Sequence, residues 1–258
     1  MEFVNDFYSE KYAGSDADFM CCVMTLEHIS AVSDFLRKVR LSIGHRHTLL
    51  FFQVPDASRI LKELAFWDIY YDCCSYFSAG SLGGLFRRCG FELLDLYRSY
   101  GDQYLMIEAC PSGAPFHSVS RLEERPEDLT EDVARFSFDV LKKILLWRRY
   151  LNRLSSKGRR VVLWGAGSKA VAFLTTLKIV REVQYVVDTN ASKQGTFIAG
   201  TGQQVVGPDF LRSYKPDVVI AMNRLYLKEV RKDLDQAGLS PRLLALDAPR
   251  AAGKTGLA

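Results

Sequence analysis

Apolar positions along this chain follow two patterns: short continuous runs, and longer stretches spaced by threes and fours. Phe19 to Leu26 is a continuous run, and so is Thr48 to Val54. Runs of that length without alternation suit strands covered on both faces, so both read as buried parallel strands. Between them Val32, Phe35, Leu36 and Val39 share one face of a helix that ends near Ile43, with Ser30 or Ser33 as its cap. Pro55-Asp56 stops the second strand, and Ala57 to Ala65 reads as helical. Ser81 to Cys89 is a short amphipathic helix that Gly90 ends. Phe91 to Tyr97 and Gln103 to Ala109 read as strands joined by a turn at Gly101-Asp102. The order β-α-β-α-β-β predicts the second half of a doubly wound α/β sheet, closed by an antiparallel pair.

Pro111 to Pro126 has linker composition. Thr130 to Leu154 then carries one long helical period, through Val133, Phe136, Val140, Leu141, Ile144, Leu145 and Leu151. Its basic end (Arg148, Arg149, Arg153, Lys157) suits a helix C-terminus. A second α/β unit follows. Val161 to Trp164 is a strand, Gly165 to Lys169 a tight turn, Ala170 to Leu177 a helix, and Tyr185 to Val187 a strand ending in Asp188. After a glycine-rich loop (Gly195, Gly200, Gly202) come a strand at Asp217 to Met222, a helix at Leu225 to Ala237 and a strand at Leu243 to Leu246. The tail from Ala248 reads as disordered.

Composition narrows the function classes. Of 258 residues, 48% are hydrophobic and 25% charged, an ordinary globular balance. A net charge of +4 with no basic run among aromatics gives no reason to expect nucleic-acid binding. The six cysteines include the adjacent pairs Cys21-Cys22 and Cys73-Cys74 and show no CxxC spacing. They read as reduced thiols of a cytoplasmic protein, not as disulfides or a metal site. No signal peptide is visible, and no apolar run reaches the roughly 18 residues of a membrane helix.

Two stretches carry candidate chemistry. Phe66 to Ser78 packs three tyrosines, two aspartates and two cysteines among aromatic rings. It lies where one part of the sheet pattern passes into the next, a usual place for an α/β site. A helix start whose hydroxyls are satisfied by hydrogen bonds would look the same. Gly165-Ala166-Gly167-Ser168-Lys169 lets the backbone turn sharply and offers a helix N-terminus to a phosphate, with Asp188 placed to hold a ribose hydroxyl. It is a partial glycine motif, and plain strand-to-helix packing accounts for it equally.

In order along the chain, Leu26-Glu27-His28-Ile29, Val54-Pro55-Asp56, Ile69 to Ser78, Gln103-Tyr104-Leu105 with Ile107-Glu108, Gly165 to Lys169, Lys193-Gln194-Gly195 and Gly200-Thr201-Gly202 resemble one family. It is the S-adenosylmethionine-dependent C-methyltransferases, whose sugar-modifying members act on nucleotide-linked keto-sugars. The resemblance runs over about residues 3 to 247. It implies that residues 1–110 are the C-terminal half of a methyltransferase Rossmann domain, 111–157 a linker and long helix, 158–247 a Rossmann-like C-terminal domain and 248–258 a tail. Nothing here matches the family's zinc segment or its glycine-rich cofactor loop, and the chain starts near the fourth strand of that sheet.

The resemblance also implies roles. Tyr70, Tyr71, Asp72 and Cys73 fall where members carry Tyr-x-Glu-His, and with His28 they are the candidate proton-transfer groups. Cysteine replaces the expected histidine, and it is a poorer base near neutrality. Asp6, Phe7, Leu26 and Glu27 match the S-adenosylmethionine side; Tyr76, Gly165, Gly167, Ser168, Lys169 and Asp188 would face substrate. The implied activity is methylation of a keto-sugar-like, nucleotide-linked small molecule, impaired or dependent on a partner. Alternatives are a non-catalytic relative that binds a nucleotide-type ligand or a protein, and an oxidoreductase using the Gly165 turn, for which no hydride-transfer set is present. Without its leading strands the Phe19 strand would be an edge needing cover from the N-terminal residues, the C-terminal domain or another chain, including a second copy.

Overall fold

The computed structural model describes residues 3–12, 17–113 and 120–247. The tail from Ala248 and part of the Pro111 to Pro126 stretch lie outside the described residues. The chain falls into two compact units, Met1–Leu61 with Tyr71–Val133, and Lys62–Tyr70 with Ala134–Ala258.

In the first unit, strands β1 (Phe19–Val23), β2 (Leu49–Pro55), β3 (Phe91–Ser99) and β4 (Tyr104–Pro111) form a sheet in the order β1-β2-β4-β3. The β1–β2 pair is parallel; β4 is antiparallel to both its neighbours. The antiparallel closing pair is the one the sequence predicts. Helices α1 (Val32–Ile43), α2 (Ala57–Glu63) and α3 (Ala79–Arg88) complete the unit. Leu36, Val39, Leu82 and Phe86 bury themselves against Leu50, Phe52, Leu105 and Ile107. Each such side chain contributes about 1.5–3 kcal/mol by leaving water.

Four expectations are corrected. First, the strand at Phe19 is not buried on both faces. Met20 and Cys22 pack on the core, while Phe19 and Val23 are exposed on the outer edge of the sheet. A continuous apolar run reads the same at an edge and in the middle, and the edge position is the one the family resemblance implies. Second, that strand stops at Val23, because Met24 takes a φ of 49° and turns the chain into the 3-10 turn Leu26–His28. Third, α3 starts at Ala79, not Ser81. Ser78 caps it: its hydroxyl accepts from the Ser81 N–H while the Ser81 hydroxyl accepts from the Ser78 N–H. Nor does Phe66 to Ser78 open a helix along its length; it makes one 3-10 turn, Phe66–Asp68, and then runs irregularly to Ser78.

The second unit is a five-stranded parallel sheet in the order β7-β6-β5-β8-β9. Its strands are β5 (Val161–Trp164), β6 (Tyr185–Val187), β7 (Gln204–Val206), β8 (Val218–Ala221) and β9 (Arg242–Ala245). Central strands β5 and β8 are buried at every position, as near-continuous apolar runs require. Helix α4 (Pro126–Ser156) contributes buried Trp147 and Leu151; α5 (Ser168–Leu177), α6 (Leu211–Tyr214) and α7 (Leu227–Gln236) follow the strands. Both β7 and α6 escape sequence reading because they are three and four residues long and lie beside glycine and proline. Among the described residues no helix is long and apolar enough to cross a membrane. The fold class is α/β, with a parallel, Rossmann-like sheet in the second unit and a part-parallel sheet in the first.

Candidate functional site

The first unit gathers its polar chemistry at the C-terminal ends of its two parallel strands. Past β1 the turn Leu26–His28 presents Glu27 and His28. Past β2 the chain meets Phe77 through a parallel bridge at Asp56, and the Ala57 N–H donates to the Phe77 carbonyl at 2.8 Å. This places 72–76 beside the turn. The Cys74 and Ser75 N–H groups both donate to the Glu27 carbonyl, at 2.8 and 3.0 Å, and the Cys74 thiol reaches the His28 carbonyl. His28 Nδ1 lies 3.0 Å from the Asp72 carbonyl oxygen. A carbonyl only accepts, so Nδ1 carries a proton, and Nε2 is the nitrogen on the Glu27 side of the ring. The Asp72 carboxylate stands 3.6 Å from Nδ1.

Glu27 is the unusual member. Its side chain is 2% exposed, and neither carboxylate oxygen has a hydrogen-bond partner of normal geometry. Oε1 is 3.9 Å from His28 Nε2, too far for a hydrogen bond. Burial pushes its carboxyl above the ordinary range, against the opposing pull of its own backbone N–H and of His28. The same buried pocket pushes the Cys22 thiol up to about 11, burial first and the Glu27 charge second. Burial likewise raises Cys73, while a hydrogen bond with Tyr76 opposes the rise. A ring nitrogen of His28, a carboxylate oxygen of Asp72 and the Cys73 sulfur all lie within 4.8 Å of one another. Sequence reading expects no metal site, since the cluster draws on positions some 45 apart and not on a local spacing.

The glycine turn of the second unit has a different internal order. Gly165 takes a φ of 111°, and a side chain there would meet Met222. Gly167 precedes α5 in extended conformation with open space around it, and Ser168 is exposed. Asp188 does not stand clear of the protein. Its carboxylate accepts from the Ala166 and Asn190 N–H groups, at 2.8 and 2.9 Å, with Lys193 Nζ 3.5 Å away. Burial raises its pKa, but those bonds and the Lys193 charge outweigh burial and hold it below the ordinary range. Lys169 is paired with the buried Asp68 carboxylate at 3.1 Å, and Tyr70 donates to the same carboxylate at 3.1 Å. Sequence reading gave no role to Asp68, one of the two aspartates of Phe66 to Ser78, or to the Lys193 side chain; an acid and a base at ordinary spacing leave no signal until the fold pairs them.

The remaining candidates scatter. Tyr71 is fully exposed and Tyr76 partly so. Asp6 is engaged by Lys11, the Tyr12 hydroxyl and the Phe7 N–H, and the bonds from Lys11 and then Tyr12 hold its carboxyl below the ordinary range. The Phe7 ring is exposed and Leu26 is core. Of the four residues assigned to S-adenosylmethionine, only Glu27 offers an unsatisfied polar group. Together these four form no cradle for that molecule among the described residues.

Comparison with known proteins places these features. The family described as "C-methyltransferase C-terminal domain" matches residues 119–239, and the family described as "methyltransferase domain" matches residues 2–96. The C-methyltransferase NovU of Streptomyces niveus is 27% identical over 192 residues, which are 70% of this chain and 46% of that protein. The chain thus spans about half the length of this curated relative. Among solved structures, the small RNA methyltransferase HEN1 aligns with a TM-score of 0.33 and 15% identity over 45% of this chain and 16% of that one. A likeness that slight carries no argument.

Proposed function

We propose that this chain, which matches the C-methyltransferase C-terminal domain and methyltransferase domain families, serves S-adenosylmethionine-dependent carbon methylation of a nucleotide-linked, keto-sugar-like small molecule. In the family's chemistry S-adenosylmethionine is the methyl donor; in this chain the four residues assigned to it form no cradle. The chain's own part is to take the proton from the carbon beside the keto group. His28 is the group for it. The observation that carries the reading is the Nδ1–H bond to the Asp72 carbonyl, which holds the ring and leaves Nε2 as the nitrogen that can take the proton. Glu27, 3.9 Å from that nitrogen, stabilises the imidazolium that forms when the proton arrives. Tyr76 and the Asp72 carboxylate then orient the substrate. Tyr71, being fully exposed, enters only if substrate covers it.

The test is exchange of the proton beside the keto group of a nucleotide-linked keto-sugar in D2O, followed by NMR with the full chain. His28→Ala is expected to slow exchange by about 10²- to 10⁴-fold. Exchange undiminished in that variant would overturn the assignment. A second reading is a non-catalytic relative that holds a nucleotide-type ligand. Cys73, where family members carry histidine, favours it. Binding of the same probe with no exchange above background would select this reading over the first.

A further inference from the structure

We propose that His28, Asp72 and Cys73, with Glu27 as a fourth group, form a binding site for a divalent first-row transition-metal ion of the zinc type. The donor set is one imidazole nitrogen, one thiol sulfur and two carboxylates. Sulfur and imidazole together select zinc-like ions over magnesium or calcium, which take oxygen. A tetrahedral ion with ligand bonds of about 2.0–2.3 Å holds its ligands about 3.3–3.8 Å apart. One ring nitrogen of His28, an Asp72 carboxylate oxygen and the Cys73 sulfur lie within 4.8 Å of one another; Nδ1 stands 3.6 Å from the Asp72 carboxylate, so the imidazole turns to bring Nε2 to the ion. Closing them by about 1 Å takes small side-chain rotations, and His28 and Asp72 are exposed enough to make them.

Three further observations point to an ion. The Nδ1–H to carbonyl bond is the outer support that metal-bound histidines commonly have, and it leaves Nε2 as the ligand. The two N–H bonds from Cys74 and Ser75 to the Glu27 carbonyl fix the backbone of both segments before any ion arrives, so little ordering is left to do. Glu27 is the independent sign: a carboxylate 98% buried, with both oxygens unpartnered, facing a nitrogen lone pair at 3.9 Å. Two acceptors that face each other repel, and a cation between them turns the repulsion into two bonds.

This inference rests on the geometry of the cluster and not on the proposed methylation. It also gives the Cys73 replacement a purpose, since a thiolate is a strong zinc ligand where it is a weak base. A bound ion would take the same Nε2 that proton transfer uses, so the ion-bound and ion-free chains would differ in that step.

The full chain is titrated with Co2+, which reports a thiolate ligand by a charge-transfer band in the near ultraviolet, and with Zn2+ by calorimetry. One ion per chain and a charge-transfer band are expected. Cys73→Ser should abolish the band, Asp72→Asn and Glu27→Gln should weaken Zn2+ binding about 10- to 100-fold, and Cys74→Ser should leave both unchanged. Absence of a band in the wild type overturns the site, as does a band that survives Cys73→Ser. Circular dichroism checks each variant's fold. Should Cys73→Ser misfold, His28→Ala serves instead: Zn2+ binding undiminished in it overturns the site. Neither readout needs substrate or S-adenosylmethionine, so its failure and the failure of the exchange test are separable.

Discussion

Replacing Asp68 with alanine should destabilise the second unit by about 2–4 kcal/mol. The side chain is 6% exposed, with Lys169 Nζ 3.1 Å from one oxygen and the Tyr70 hydroxyl bonded to the same oxygen. A hydrogen bond to a charged group contributes about 1.5–3 kcal/mol, and breaking a buried pair from one side costs about 3–5. The lower part of that range applies because Lys169 is 19% exposed and can turn its ammonium toward water. Asp68→Asn keeps a partner for Tyr70 and should cost about half as much. The assay is urea unfolding followed by tryptophan fluorescence. All three tryptophans, Trp67, Trp147 and Trp164, lie in the second unit, so the signal reads that unit directly. Lys169→Met completes a double-mutant cycle, with a coupling of at least about 1 kcal/mol expected. A loss below about 0.5 kcal/mol for Asp68→Ala, or additive single effects, would refute the claim that this pair secures the turn.

Two other outcomes follow from the glycine turn. Asp188 has a folded pKa held below its unfolded value of about 3.9, so its contribution is complete above that pH and is lost as pH falls through the folded pKa. Asp188→Asn should therefore lose about 1–2 kcal/mol at pH 7, and the gap to wild type should close in acid; a gap constant from neutral to strongly acid pH would contradict this. Gly165→Ala places a side chain at a φ of 111° and against Met222, and should cost about 1–3 kcal/mol in the same unfolding assay. Unchanged stability would show that the turn relaxes to a negative φ.

What sequence reveals here is what local pattern encodes. The Pro55-Asp56 stop, the Gly90 stop and the long period from Val133 to Leu151 each act within a few residues, and the elements they delimit are found in place, although Val133, Leu141 and Leu145 are exposed and the buried Trp147 lies off the expected face. The antiparallel pair around Gly101-Asp102 is legible for the same reason, since a hairpin is local. Edge position is not local: the apolar run at Phe19 to Val23 looks like core, and it is the family resemblance, not the run, that implies the edge found there. The candidate site was half legible. His28, Asp72 and Cys73 were singled out one by one, and only their adjacency is new. The roles of Lys169 and Asp188 could not be read, because Asp68 lies 101 positions from Lys169 and the Ala166 N–H lies 22 from Asp188.

The two amide bonds that Cys74 and Ser75 give to the Glu27 carbonyl make the cluster a clasp between distant segments. Its chemistry exists only while that clasp is shut, whereas the sheet hydrogen bonds beneath it do not depend on it. Brief opening at 72–75 would dissolve the site and leave the sheet intact. Hydrogen exchange at those two amides is thus a direct gauge of how much of the time the chain is competent.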